Sequence, residues 1–218
     1  MANDGPGSAE KAPFFRRIPR QARSRQLVER ILNATVVLLQ REGIAALSTN
    51  RVAAEAGVDI ASVYQYFSSK EAILYALTEQ WLAKVQAVYT ALKPQVEAGM
   101  PLVTLLRQFY AAMLTVPENE WGYEQLAALM ETIPELRALE SAHETATAAF
   151  WTHALRHYGA RWDDDKLGAF VRLLYVQMDS ALSLAGRLPA AHRRQVQHWA
   201  KVQMVRQLRL CLPDLRTR

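Results

Sequence analysis

The chain has 218 residues, half of them hydrophobic and 22% charged, which suits a globular protein with a substantial core. No apolar run approaches the roughly 20 residues that cross a bilayer, and the start MANDGPGSAEKAPFF lacks the basic and apolar regions of a signal peptide, so a cytoplasmic protein is expected. The single cysteine, Cys211, excludes an intrachain disulfide and gives no zinc motif.

The net charge of +5 is concentrated near the N-terminus. Residues 11–25 carry Lys11, Arg16, Arg17, Arg20, Arg23 and Arg25 and no acid. The other 203 residues hold 20 basic and 21 acidic side chains and are nearly neutral. Such an arm suits a polyanion partner. Pro13 and Pro19 keep it extended, a form that can lie along phosphates or enter a minor groove.

The rest of the chain predicts an all-α fold. Residues 24–42 place Leu27, Ile31, Ala34 and Leu38 at helical spacing, and Gly43 ends the run. In the stretch STNRVAAEAGVDIASVYQYF, residues 48–67, Ser48 or Thr49 can cap a short helix with Val52, Ala53 and Ala56 on its inner face. Gly57 supplies a turn. Asp59 is placed to cap a second helix that packs through Val63 and Phe67. Ser68 and Glu71 have capping-box spacing at the start of a longer helix with Ile73, Leu74, Leu77, Trp81, Val85 and Val88 along its stripe. Two short helices joined by a tight glycine turn form a helix-turn-helix, whose second helix enters the major groove.

The string STNRVAAEAGVDIASVYQYFSSKEAIL resembles the DNA-binding motif of the TetR family of transcriptional regulators. It has the Gly-Val turn, a small residue, the aliphatic-Tyr pair, the aromatic-Phe pair and the following Lys-Glu. RRIPRQARSR before it is similar to the arm of many members, and the resemblance covers about residues 20–85. It implies a leader at 1–15, a DNA-binding domain at 16–85 with its arm at 16–25, and a helical ligand-binding and dimerisation domain at 86–218. It also implies roles for matching positions. Thr49 offers its hydroxyl to phosphate, and Asn50 and Arg51 reach phosphates or base edges. Ile60, Ala61 and Ser62 open the groove-facing side of the second helix. Spacing alone would instead send Ile60 to the core. Tyr64, Gln65 and Tyr66 match phosphate and base contacts, and Lys70 matches a backbone contact. Arg16, Arg17, Arg20 and Arg23 complete the expected DNA-binding set.

Residues 86–218 carry no such signature. Gly99-Met100-Pro101 and Pro117 bracket one predicted helix, WGYEQLAALMETI forms another, and Pro134 opens a third that stops at Gly159. Asp163, Asp164 and Asp165 stand at a helix start and are expected to cap it rather than bind metal. The helix from there to Gly186 has Phe170, Leu174, Tyr175, Met178 and Leu182 on one face and Leu173, Val176, Ser180 and Leu184 on another, so burial on both sides is expected. A last helix, about 190–211, adds Val196, Trp199, Val202, Val205 and Leu208. The resemblance implies a homodimer through these last two helices, which suits a two-fold operator. It also implies an inducer pocket. Candidates for its lining are Phe109, Tyr110, Met113, Trp121, Tyr123, Met130, Phe150, Trp151, Tyr175 and Met178, which suit an apolar or aromatic ligand. Asp179, mid-helix among apolar residues, needs a partner such as Arg107 or Arg156, or a cationic group of a ligand. His153 and His157 share a helix face, but no third metal ligand stands near them in sequence. No phosphate loop, nucleophile elbow or framed carboxylate pair suggests an enzyme, and no cofactor, metal or membrane is expected. The expected function is a ligand-responsive, dimeric repressor bound to palindromic double-stranded DNA. The alternatives are an activator, an architectural DNA-binding protein, or a helical metabolite sensor acting through a protein partner.

Overall fold

The computed structural model describes residues 19–113 and 133–213, together with Arg17, Val116 and Leu215. Among the described residues there are eight α-helices and no strand. The chain divides into two compact units, one ending at Leu77 and one starting at Thr78.

In the first unit, α1 spans Ala22–Glu42. Its buried stripe runs through Val28, Ile31, Leu32, Ala34, Thr35, Leu38 and Leu39. Leu27, expected on the inner face, lies only half-buried at the stripe's edge, one residue and so about 100° away from Val28. Thr35 is fully buried because its hydroxyl donates to the Ile31 carbonyl at 2.9 Å. Gly43 follows α1 and donates its N–H to Leu39, and a short 3₁₀ turn, Ile44–Ala46, leads to α2, Thr49–Ala56.

Ser48 caps α2, its hydroxyl accepting from the Arg51 N–H at 3.3 Å. Gly57 ends it in the left-handed region, at φ 61°, which a side chain would disfavour. The Val58 N–H then reaches the Ala53 carbonyl at 3.0 Å, and Gly57 reaches Ala54 at 3.2 Å. These two bonds close the helix and turn the chain at once into α3, Ile60–Tyr66. Asp59 caps α3 by accepting from Ala61 at 3.0 Å. The helix α4 runs Lys70–Glu97. Its cap is one residue later than the sequence suggests: Ser69, not Ser68, accepts from the Ala72 N–H at 3.3 Å. Ile31, Leu39, Val52, Val63, Phe67 and Ile73 are all fully excluded from solvent in this unit.

The second unit contains the later turns of α4, then α5, Leu102–Met113; α6, Pro134–His157; α7, Asp164–Arg187; and α8, Ala190–Leu208. The expected helix WGYEQLAALMETI lies outside the described residues. Pro134 opens α6, Tyr158 and Gly159 end it, and Asp163 caps α7 by accepting from Lys166 at 2.8 Å. α6 packs on α7, and α7 on α8. The core is aromatic: Tyr89 lies 5.5 Å from Phe109 and 5.1 Å from Phe150 by ring centroids. Trp151 packs edge-on to both phenylalanines.

Within a single chain the burial expected for both sides of α7 is seen on one side. Phe170, Leu174 and Met178 are buried, but Leu173, Val176 and Leu184 are each about half exposed. Within one chain α7 packs against α6 and α8. On the other side these apolar residues remain open to solvent. Trp199 and Val202 on α8 are exposed as well.

Candidate nucleic-acid interface

Three consecutive residues at the start of α2 go in three directions, as 100° per residue requires. The Thr49 hydroxyl lies 3.0 Å from the Tyr64 hydroxyl of α3. Asn50 is exposed. Arg51 turns toward the end of α1, where its guanidinium pairs with Glu42 and donates to the Ala46 carbonyl at 3.4 Å.

On α3 the two tyrosines separate. Tyr64 is 39% exposed and Tyr66 only 4%. Tyr66 is therefore buried, as Val63 and Phe67 are, which corrects the expectation of an outward contact. The reason is helical phase: Tyr66 follows Val63 by three residues, and Tyr64 and Gln65 turn away from that face. Ala61 and Gln65 are exposed, and Ile60 and Ser62 are half-buried. The conflict over Ile60 thus resolves as a position at the edge of the packed side. Lys70, at the first turn of α4, is half-buried.

Arg17, Arg20, Arg23 and Arg25 are exposed at or just before the start of α1. Arg23 and Arg25 already belong to the helix, and Arg25 donates to the Arg20 carbonyl at 3.0 Å. Arg16 lies outside the described residues.

Sequence reading missed two sets of residues that fix this surface. Arg30 of α1 donates from one nitrogen to the carbonyls of Ala56 and Gly57, both at 3.0 Å. It satisfies the end of α2 at the turn that aims α3. Around the end of α1 the charges alternate as Arg51, Glu42, Arg41, Glu55. Arg41 lies 2.9 Å from both Glu42 and Glu55. Hydrogen bonds from Arg51 and Arg41 hold the Glu42 carboxyl below its usual range. The carboxylates of Glu55 and Glu42 hold Arg41 more firmly charged than usual. Apart from the adjacent Arg41 and Glu42, these partners lie 9, 14 and 26 or 27 residues apart, so no local pattern announces them.

In the second unit, Phe109, Tyr110, Met113, Phe150 and Met178 are buried, and Trp151, Tyr175 and Asp179 are half-buried. Trp121, Tyr123 and Met130 lie outside the described residues. Of the candidate pocket residues, Trp151, Tyr175 and Met178 line an apolar cavity of about 20 Å³, to whose wall Met204 also contributes. That is room for little more than one water molecule. A cleft of about 730 Å³ lies elsewhere in the unit, between the turns at Met100 and Tyr158 and the chain after α8. None of the candidate residues lines it. Tyr110 donates to the Met204 sulfur at 3.5 Å, and burial pushes its phenol up to about 12. Burial, then the charge of Asp179, pushes Tyr175 up as well. Arg156, one suggested partner of Asp179, instead pairs with Asp164. His153 lies 3.9 Å from Glu97, and His157 packs edge-on against Tyr158. Among the described residues no group of three metal-ligating side chains is assembled, and no helix is long and apolar enough to cross a membrane.

Residues 31–77 match the family model of bacterial regulatory proteins, tetR family. No curated protein matches the chain. Solved structures match over most of their length. A transcriptional regulator from Rhodococcus sp. Rha1 superposes with a TM-score of 0.68 at 20% identity, covering 86% of this chain and 96% of that one. A TetR-family transcriptional regulator from Streptomyces coelicolor gives 0.66 at 23% identity, covering 88% and 97%. The multidrug binding protein EbrR, complexed with imidazole, gives 0.55 at 22% identity, covering 83% and 93%. At these identities the likeness is one of fold.

Proposed function

We infer that this chain, whose N-terminal unit belongs to the tetR family of bacterial regulatory proteins, is a DNA-binding transcriptional regulator that represses from a two-fold operator and is released by a small molecule. The observation that carries the reading is the outward face of the helix-turn-helix. Two hydroxyls from different helices, Thr49 and Tyr64, meet at 3.0 Å, with Asn50 and Gln65 exposed near them. A pair of hydroxyls on rigid helices suits one phosphate, and neutral amides suit base edges. Ala61 and Ser62 leave the start of α3 slim enough to approach a groove, with Ile60 at its edge. Lys70 and the arginines at 16, 17, 20 and 23 add sequence-independent attraction to phosphates.

The dimer reading rests on the uncovered apolar stripe of α7 and α8. Leu173, Val176 and Leu184 repeat at 3 and 8 residues, and Trp199 and Val202 at 3, so each set forms one line on its helix. A second copy pairing with these lines would make a four-helix interface and place two recognition helices on one duplex.

The reading of regulation by a ligand draws support from a small apolar cavity walled by Trp151, Tyr175, Met178 and Met204, which must widen to admit anything larger than water. Methionines and an aromatic floor suit an apolar or aromatic ligand. α4 supplies residues to both units, and in this reading it is the element that carries the ligand's effect to the DNA heads. Ligand and DNA then oppose each other reciprocally.

Selection of the purified protein against random duplexes at two salt concentrations tests the reading. An enriched palindrome with a steep salt slope is expected. Absence of salt-sensitive DNA binding would overturn it.

A further inference from the structure

We propose that Glu42 is a specificity-determining residue of the DNA head: its carboxylate holds the Arg51 guanidinium against the end of α1 and so keeps a cation off the DNA phosphates. The inference rests on the DNA-binding reading and goes beyond it.

The geometry is that of a tether. Arg51 is tied twice, to the Glu42 carboxylate and to the Ala46 carbonyl. Glu42 is in turn fixed by Arg41, whose other side is fixed by Glu55. Arg51 and Glu55 stand four apart on α2 and so share a face. The four charges cancel, and both ends of the chain of pairs sit on α2. Beside this balanced set of charges α2 presents two neutral groups: the Thr49 hydroxyl, paired with Tyr64, and the exposed Asn50 amide.

The consequence concerns discrimination rather than strength. An arginine released beside Asn50 would find a phosphate on any sequence. Sequence-independent affinity would rise, and the ratio of specific to non-specific binding would fall. By holding Arg51, Glu42 leaves α2 to contribute through groups that need a matching partner.

The test measures the slope of log affinity against log salt for the wild type and the E42Q, R51Q and E42Q/R51Q variants, on the selected operator and on unrelated duplex. E42Q is expected to bind unrelated duplex more tightly, with a slope steeper by about 0.9 for each DNA head. The double variant is expected to return to the wild-type slope, and R51Q alone to leave it unchanged. If R51Q flattens the slope by that amount, Arg51 already sits on a phosphate and the proposal falls. An unchanged slope in E42Q overturns it too. Should E42Q not fold, R51Q decides by the same criterion. A wild type without salt-dependent binding overturns the DNA-binding reading and this inference together. A flattened R51Q slope overturns only the inference.

Discussion

The Thr49 and Tyr64 hydroxyls lie 3.0 Å apart, one at the first residue of α2 and the other on the outward side of α3. The bond joins the two helices of the motif on their exposed side, while Val52 of α2 and Val63 of α3 are fully buried. Both hydroxyls keep spare bonding capacity, since each can donate one hydrogen and accept more than one.

Tyr64→Phe is therefore expected to weaken binding to every duplex by about 1 kcal/mol, roughly fivefold, without changing sequence preference. Thr49→Ala should do the same. Because the pair shares one hydrogen bond, the double variant should lose less than the sum. Titration by fluorescence anisotropy on operator and unrelated DNA checks both points. Additive losses would mean that the hydroxyls act separately.

Arg30 anchors the turn from beneath through the Ala56 and Gly57 carbonyls. Arg30→Met keeps much of the aliphatic stem and removes the donors. It should lower stability by about 1 kcal/mol, less than is usual for a bond to a charged group because the site is exposed. Arg30→Lys should recover part of the loss. Denaturant midpoints measure this, and operator affinity should fall with the loosened turn.

Val176, 56% exposed, sits in the middle of the apolar line on α7. In a two-fold interface Val176→Glu places a charge on both copies within one contact. The variant should sediment with the mass of one chain and lose most operator affinity while keeping its helical circular dichroism. Retention of a dimer would move the interface elsewhere.

His143 lies between the rings of Tyr89 and Tyr175, with centroids at 6.4 and 6.3 Å and the Thr147 hydroxyl at 3.4 Å. Burial holds its imidazole below the ordinary value. The unfolded chain then takes up this proton more readily than the folded one. The contribution to stability is complete above about pH 6.5 and is lost as pH falls through the folded value. Melting temperatures followed downward from pH 8 should decline more steeply for the wild type than for His143→Gln. Parallel curves would show that His143 does not carry the effect.

Much of the DNA head was legible before any coordinates. The caps at Ser48 and Asp59, the glycine turn at 57 and the packed Val52, Val63 and Phe67 are set by contacts within a few residues, and local spacing reports such contacts. The same logic located most helices of the second unit. It erred by one residue at Ser69, where two adjacent serines serve equally in sequence and only the helix start distinguishes them. It placed Tyr66 outward because a resemblance identifies positions without weighing the core's demand for bulk beside Val63 and Phe67.

Composition, periodicity and capping chemistry thus determined the all-α class, the helix-turn-helix and the basic arm, because each depends on neighbours along the chain. Tertiary structure alone decided which of Thr49, Asn50 and Arg51 is tied and which is open, that Arg30 closes α2, and that one apolar side of α7 is left uncovered. Those outcomes depend on side chains brought together from distant positions, and on which surfaces remain after the nearest helices have packed. A sequence pattern marks a residue as apolar or charged; only the fold supplies its partner.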